Sequence, residues 1–325
     1  MSEVGYKGFR QDELEYQYNP RVSVPEFPEL SKVRAAQARK VRGSAKSWLD
    51  VPYGKSPREK LDIYAADPTT RAPAFAGGSR SGFRPKGVLE SATGLPVGLH
   101  RSGGPVFVYL HGGYWRGGSK EDNCSFAPTF TARGATVVLV EYDLCPQVTV
   151  SDIARETRSA IAWVYRNIVG YGGDPGNIYL AGSSAGGHLT AMALAHDWEK
   201  QDLPRDIIKG ALAMSGVYDL DMVMRIGVQE EVRLTPDLVR ENNPFLHPPL
   251  VRCPILVAVG GAEPKGWQQM SEDYFNYCKT LGLSVEYLVV PGANHYTVPE
   301  GLADAKSPLA QAMLKQMGLS ADRQP

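Results

Sequence analysis

The chain has 325 residues, 43% of them hydrophobic, and its formal net charge is zero. That composition is enough for a substantial core, and a chain with no surplus of either charge has no general attraction to nucleic acid or to anionic membranes. The longest apolar runs, such as 136–140 and 255–259, have the length of a strand and are far too short to span a bilayer. We therefore predict a globular protein with neither nucleic-acid nor membrane partners.

The four cysteines are scattered, without the spacing of a metal site or a disulfide framework. The first residues are polar and acidic and contain no apolar stretch typical of a cleavable signal. Both features favour a reducing compartment, so we expect a cytoplasmic location. No cluster of histidine, cysteine or carboxylate residues indicates a metal, and we predict neither a metal nor another cofactor.

The first part of the chain mixes charged and proline-rich pieces with one helical stretch near residues 30–42. We predict that residues 1–45 form an N-terminal arm or lid on a main domain that spans residues 46–325. Two opening strands are predicted at 48–53 and 60–65.

Residues 67–104 are dense in Gly, Pro, Ser and Arg and show neither helical nor strand periodicity. This pattern predicts a long surface loop, or a partly disordered insertion.

From residue 105 onward, short apolar runs alternate with helical patterns. The runs predict buried strands at 106–110, 136–140, 178–181, 208–214, 255–259 and 285–290. A helix is predicted over 151–168, with Ser151 as its N-cap. Strands separated by crossover helices indicate an α/β fold with a mostly parallel central sheet and helices on both faces. Residues 219–250 interrupt this alternation and are predicted to form a small cap.

The most informative motif is a G-x-S-x-G segment centred on Ser184. It follows the apolar run 177–181 and precedes the helix-like run 188–194, which is the strand–turn–helix context of a nucleophile elbow. Glycines two positions before and after the serine leave room for a sharp turn. We predict that Ser184 is a nucleophile. The alternative is a glycine-rich turn that only begins a core helix.

A second glycine-rich segment follows the strand 106–110. Ligand sites in parallel α/β sheets lie beyond the carboxyl ends of the strands. There the N–H groups of Gly112 and Gly113 could bind a developing oxyanion together with the N–H of Ala185. A tight turn that uses its glycines only for geometry is the alternative, and His111 is expected to brace the loop.

The general base is predicted from chain order, which in this architecture runs nucleophile, acid, histidine. His295 directly follows the last predicted strand and is the predicted base. His188 and His196 lie on the helix after the elbow, and His247 comes too early in the order.

The acid is predicted to be Glu263, the first carboxylate after the strand 255–259. It would hold His295 in the correct tautomer and stabilise the imidazolium. Asp219 is the rival acid because it follows the preceding strand, although a helix N-cap would also explain it.

Five aromatic residues fall in or beside the predicted active-site loops: Tyr114, Trp115, Tyr218, Trp267 and Tyr296. An aromatic pocket would suit a small-molecule substrate with an aryl leaving group. Packing in the core or at the rim is the alternative for each.

Together these segments resemble the α/β-hydrolase superfamily and, within it, the kynurenine formamidase (arylformamidase) group. The resemblance covers about residues 45–317, apart from 67–104. It is carried by HGGYW at 111–115, YDLCPQV at 142–148, GSSAGGHL at 182–189, SGVYDL at 215–220 and NHY at 294–296.

The resemblance implies an α/β-hydrolase fold, a triad of Ser184, Glu263 and His295, and oxyanion donors at Gly112, Gly113 and Ala185. It also implies hydrolysis of an aryl formamide such as N-formylkynurenine through an acyl-enzyme. A carboxylesterase, or a carbamate or amide hydrolase with another acyl group, remains the alternative. A non-catalytic binding protein is disfavoured because the triad is complete, and a homodimer is a reasonable default.

Overall fold

The computed structural model describes residues 5–67, 69 and 103–319. Its centre is an eight-stranded sheet in the order β1-β2-β4-β3-β5-β6-β7-β8. The strands are β1 Ser47–Pro52, β2 Lys60–Tyr64, β3 Gly104–Leu110, β4 Thr136–Val140, β5 Gly173–Ser183, β6 Ile208–Met214, β7 Ile255–Gly260 and β8 Val285–Val290. β1 pairs antiparallel with β2, and β2 pairs antiparallel with β4, whereas all other neighbours are parallel. The predicted mostly parallel sheet is confirmed.

Helices connect the strands and precede the sheet. They are α1 Gln11–Tyr18, α2 Pro20–Ser23, α3 Phe27–Ser44, α4 Ala127–Thr131, α5 Val150–Asn167, α6 Ala185–Leu194, α7 Leu220–Val223, α8 Gln229–Val232, α9 Pro236–Asn242, α10 Lys265–Thr280 and α11 Pro308–Gln316. Short 3₁₀ turns occur at Glu121–Asn123, Ile168–Tyr171, Trp198–Gln201 and Val298–Ala303. No helix within the described ranges is long and apolar enough to cross a membrane.

The central strands are buried on both faces, which explains their unbroken apolar sequence. Successive side chains of a strand point to opposite faces. In β3, accordingly, Val106 and Val108 belong to one hydrophobic cluster, together with residues of α5, α6 and α10. Phe107 and Tyr109 belong to a second cluster, together with residues of α4 and α11. The sheet is therefore covered by helices on both sides.

The N-cap of α5 is Thr149 and not, as the sequence had predicted, Ser151. The helix begins at Val150 because Thr149 and Asp152 form a capping box, in which each side chain accepts a hydrogen bond from the backbone N–H of the other. Ser151 lies within the first turn, and its hydroxyl donates to Glu241 Oε2 at 2.8 Å.

Two segments that interrupt the predicted alternation of strands and helices, 67–104 and 219–250, differ in how much of them the structure describes. Residues 67–104 lie almost entirely outside the described residues, so their predicted loop remains a prediction. Residues 219–250 carry the short helices α7, α8 and α9, and apolar side chains of this segment, such as Met222 and Val239, are buried in the main core.

The N-terminal segment, residues 5–45, packs on the sheet and its helices. Its helix α3 extends beyond the predicted 30–42 at both ends. Leu14 and Tyr18 of α1 are buried in the main hydrophobic cluster, and Ala38 of α3 is buried in the second. This segment thus contributes to the core and reaches the carboxyl end of the sheet.

Candidate active site

Ser184 occupies the sharp turn between β5 and α6. Its backbone has φ 58° and ψ −118°, a conformation that residues with a side chain rarely adopt. Its N–H donates to the carbonyl of Met214 at 2.8 Å, which ties the turn to β6. A Cβ on Gly182 would lie 2.1 Å from the carbonyl oxygen of Gly186, so the turn requires glycine at that position. The geometry is that of the predicted nucleophile elbow.

The loop after β3 contributes free backbone donors to the same pocket. Gly112 and Gly113 line this pocket together with Ser184. Within the described part of the chain, the N–H groups of Gly112 and Gly113 form no hydrogen bond. Ala185 is the first residue of α6, so its N–H has no partner inside that helix. Three N–H groups therefore remain available for an oxyanion.

The glycine loop is held in place by His111, as predicted for that residue. Its Nε2 lies 2.9 Å from Glu141 Oε1, and its ring stacks on Tyr142 at a centroid distance of 4.1 Å. The Tyr142 hydroxyl donates to the His111 carbonyl at 2.6 Å. Burial opposes the charged form of Glu141, but the contacts with His111 and Arg58 hold the pKa of this carboxyl below its usual value.

Glu263 and His295 form a buried hydrogen-bonded pair at the ends of β7 and β8. His295 Nδ1 donates to Glu263 Oε2 at 2.8 Å. The other carboxylate oxygen accepts hydrogen bonds from the N–H of Gly260, at 2.7 Å, and from the hydroxyl of Ser215. Because the carboxylate takes the proton-bearing Nδ1, Nε2 is the ring nitrogen left to act as a base. His295 lines the pocket that contains Ser184.

Ser215 is a residue that the sequence analysis missed. It directly follows β6, at the same edge of the sheet as Ser184, and donates to the candidate acid. The signal was its position at the carboxyl end of a predicted parallel strand, within the SGVYDL segment.

The rival acid, Asp219, is engaged elsewhere. It caps α7 by accepting a hydrogen bond from the N–H of Met222 at 3.4 Å. It also accepts from the Tyr6 hydroxyl at 2.8 Å and pairs with Lys7 at 3.0 Å. These contacts tie the N-terminal segment to the sheet and leave Glu263 as the carboxylate on His295.

The other histidines after Ser184 are also engaged elsewhere. His188 is fully buried, its Nε2 donates to the Asn242 carbonyl at 2.7 Å, and burial lowers its pKa to about 4. His196 lies 2.9 Å from the side-chain amide of Gln201. His247 contacts the carbonyl of Arg240 at 2.8 Å.

Two of the five predicted aromatic residues lie on the pocket wall. Tyr114 and Tyr296 both line it, and the ring of Phe27 from the N-terminal segment lies 4.3 Å from that of Tyr296. The Tyr114 hydroxyl donates to the carbonyl of Tyr18, which joins the glycine loop to α1.

The other three predicted aromatic residues, Trp115, Tyr218 and Trp267, are buried behind the pocket. None of them is among the described residues that line it. Trp267 lies 4.3 Å from the His295 ring, and Trp115 meets His188 edge-on at 4.9 Å. Tyr218 stacks within the core. Their location corrects the prediction that all five line the pocket, because Trp115 and Tyr218 point inward from their loops and Trp267 points inward from the first turn of α10.

The outer wall of the pocket comes from the N-terminal segment. Its lining residues there are Asn19, Pro20, Arg21, Phe27, Ser31 and Arg34. The sequence predicted an arm or lid in this region, but none of these residues. No periodic pattern or motif indicated which of its side chains would face the site.

Comparisons with known proteins agree with this geometry. Residues 107–298 match a family model described as an alpha/beta hydrolase fold. The sequence is 34% identical to a kynurenine formamidase of Salmo salar, over 97% of this chain and 99% of that protein. It is 30% identical to a kynurenine formamidase of Danio rerio, again over 97% and 99%.

Solved structures share the fold. A putative thioesterase from a Silicibacter species superposes with a TM-score of 0.72 at 24% identity, covering 91% of this chain and 97% of that one. Esterase B from Lactobacillus rhamnosis superposes with a TM-score of 0.65 at 16% identity, covering 95% and 96%. The nucleophile elbow, the sheet topology and the near full-length similarity thus converge: the chain belongs to the α/β-hydrolase family and, within it, to the kynurenine formamidases.

Proposed function

We propose that this protein hydrolyses the amide bond of an aryl formamide of the N-formylkynurenine type, with Ser184 as the nucleophile. The observation that carries the reaction type is that His295, which is hydrogen-bonded to the buried Glu263, lines the same pocket as the elbow serine. The substrate class is supported by the kynurenine formamidases that match nearly the whole chain.

The first half of the reaction forms an acyl-enzyme. His295 Nε2 takes the proton of the Ser184 hydroxyl as the oxygen attacks the formyl carbon. The N–H groups of Gly112, Gly113 and Ala185 stabilise the oxyanion of the tetrahedral intermediate, each such donor typically contributing about 3–4 kcal/mol. Glu263 stabilises the imidazolium that results.

The second half releases the two products. The imidazolium of His295 protonates the departing aryl nitrogen, which leaves poorly as an anion. Water, deprotonated by His295, then attacks the formyl ester on Ser184 and releases formate. His295 then gives the proton taken from water to Ser184 Oγ as the formyl ester bond breaks, which regenerates the free enzyme.

Ester hydrolysis is the second candidate function. It is supported by a family relative named as a probable isoprenylcysteine alpha-carbonyl methylesterase from Oryza sativa, 32% identical over 54% of this chain and 36% of that protein. The same nucleophile and oxyanion donors would serve an ester, whose alcohol leaves more readily than an arylamine.

Steady-state hydrolysis of N-formylkynurenine beside p-nitrophenyl acetate distinguishes the two candidates. We expect kcat/KM for the formamide of about 10⁴ M⁻¹s⁻¹ or above, the range of a proper substrate. Enzyme inactivated with a serine-directed fluorophosphonate is the control. Turnover of the ester alone would contradict the formamidase proposal and favour the esterase.

We also propose that the protein works in the cytoplasm. The four cysteines are free and buried in the structure, which suits a reducing compartment. Fractionation of the source cells with an antibody to the protein would test this location, and recovery outside the cytosolic fraction would contradict it.

A further inference from the structure

The pocket that contains Ser184 carries an excess of positive charge. Three arginines line it, Arg21, Arg34 and Arg116, whereas the described lining residues include a single carboxylate, Asp122. Asp122 accepts a hydrogen bond from the Ser119 hydroxyl at 3.1 Å. This local surplus contrasts with the zero net charge of the whole chain.

Two of the three arginines hold parts of the pocket together. Arg34 of α3 donates to the carbonyl of Tyr296 and lies 3.6 Å from Glu300, so it fastens the N-terminal segment to the loop that carries the predicted base. Arg116, after the glycine loop, pairs with Glu231 of α8. Both guanidinium groups therefore have a structural partner.

Arg21 differs from the other two. Among the described residues its guanidinium forms no ion pair, and its Cζ lies 5.9 Å from the centroid of the Phe27 ring. Its side chain is exposed at the rim, on the short helix α2. The guanidinium N–H groups of Arg21 are thus available to donate hydrogen bonds to a ligand.

The charge of Arg21 has no carboxylate partner among the described residues, and it acts on its neighbour Arg116. Burial and the neighbouring charge of Arg21 together lower the pKa of Arg116, even though Arg116 pairs with Glu231. A negatively charged group entering the pocket would relieve this repulsion. The planar guanidinium fork fits a carboxylate with two parallel hydrogen bonds.

We propose that Arg21 binds a carboxylate of the substrate, so that the pocket selects aryl formamides whose side chain bears a carboxylate over those that lack one. The inference deepens the proposed function and rests on it for the identity of the reacting group. Arg21 is in this view a specificity residue: it fixes the far end of the substrate, while the loops of the sheet act on the formyl group.

The test is a binding experiment that needs no turnover. The Ser184→Ala variant is titrated by calorimetry with N-formylkynurenine and with its carboxamide analogue, which has nearly the same shape and lacks the carboxylate charge. The double variant Ser184→Ala/Arg21→Gln is compared with Ser184→Ala/Arg252→Gln. Arg252 is an exposed arginine outside the pocket lining that contacts the carbonyl of Leu281, and it serves as the matched control.

We expect the carboxylate to bind at least about tenfold more tightly than the carboxamide, because charge-assisted hydrogen bonds are the stronger class. Arg21→Gln should remove most of that ratio, and Arg252→Gln should preserve it. Equal affinity for the two ligands, no binding of either, or a ratio that survives Arg21→Gln would overturn the inference. The proposed function fails separately, through an absence of formamide turnover by the wild-type enzyme.

Discussion

The pocket is built from two regions that differ in how strongly the fold constrains them. The loops at the carboxyl ends of β3, β5, β7 and β8 supply the candidate nucleophile, oxyanion donors, acid and base. Ser184, Glu263 and His295 are buried, and backbone hydrogen bonds to neighbouring strands hold the loops. The N-terminal segment supplies the outer wall with partly exposed side chains such as Arg21 and Phe27.

We infer from this difference that the loops of the sheet carry out the reaction and that the N-terminal segment determines which substrates bind. A rigid inner wall can place a nucleophile and its oxyanion donors accurately, which catalysis requires. Side chains of the outer wall that form no hydrogen bond to the catalytic loops, such as Arg21 and Phe27, can change without disturbing that geometry. Substitutions in the first region should therefore act on kcat, and substitutions in the second should act mainly on KM.

The largest effect is expected for Ser184→Ala. Removal of the nucleophile should lower kcat for N-formylkynurenine by about 10⁴-fold or more, the scale seen when a triad serine is removed. Initial rates by absorbance would measure it. Ser159→Ala, on the exposed face of α5, is the control, and substantial activity in Ser184→Ala would contradict the inner-wall assignment.

Glu263→Gln should give the next largest effect. The amide cannot stabilise the imidazolium, and its NH₂ group would favour the wrong tautomer of His295, so kcat should fall about 10²–10⁴-fold. Asp219→Asn should change kcat by less than about threefold, because Asp219 contacts Tyr6 and Lys7 instead. Steady-state kinetics on both variants would decide, and the opposite ranking would make Asp219 the acid.

Phe27→Ala tests the outer wall. Loss of the ring beside Tyr296 should raise KM for N-formylkynurenine about fivefold and leave kcat within about twofold, since the reacting groups stay in place. Tyr16→Ala is the matched control, an exposed aromatic residue of the same segment outside the pocket lining. A large fall in kcat instead would mean that the N-terminal segment positions the catalytic groups.

The smallest effect concerns stability and not activity. Glu156 of α5 is buried, its carboxylate accepts a hydrogen bond from the N–H of Asp143, and burial raises its pKa to about 7. The folded protein therefore keeps a proton that the unfolded chain releases near pH 4.5, the ordinary value of a glutamate. The contribution of Glu156 to stability should accordingly fall as the pH rises from about 4.5 to 7, opposite in sign to the contribution of the buried His188.

Thermal unfolding at pH 5 and pH 8 would measure this dependence. Glu156→Gln should remove this contribution, so that the Tm of the variant relative to wild type is about 2–4 °C higher at pH 8 than at pH 5. Glu199→Gln, an exposed glutamate, should leave the dependence as it is. The same Tm difference between variant and wild type at both pH values would contradict the raised pKa of this carboxyl.

The sheet and the inner wall could be predicted from the sequence because strong local constraints shape both. Strands buried on both faces leave unbroken apolar runs, and a strand–turn–helix serine leaves glycines at fixed positions. Chain order then indicated His295 and Glu263. In the structure His295 Nδ1 lies 2.8 Å from Glu263 Oε2. The boundaries of β5 and α5 were less accurate, because capping and irregular pairing adjust the ends of elements.

The outer wall could not be predicted for a physical reason. Arg21 and Arg34 reach the pocket only because tertiary contacts dock the N-terminal segment, and no periodic pattern encodes such contacts. The burial of Trp115, Tyr218 and Trp267 was likewise not predictable, because it depends on how two loops and the start of α10 pack against the core.

The most direct test of the account is to trap the intermediate on Ser184. Wild-type protein mixed with N-formylkynurenine would be quenched in acid within milliseconds, digested and analysed by mass spectrometry. We predict a formyl ester on the peptide that contains Ser184, absent from Ser184→Ala. Product formation without a formylated Ser184 peptide at any quench time, or a formyl group on another residue, would contradict the central claim that this serine carries the reaction.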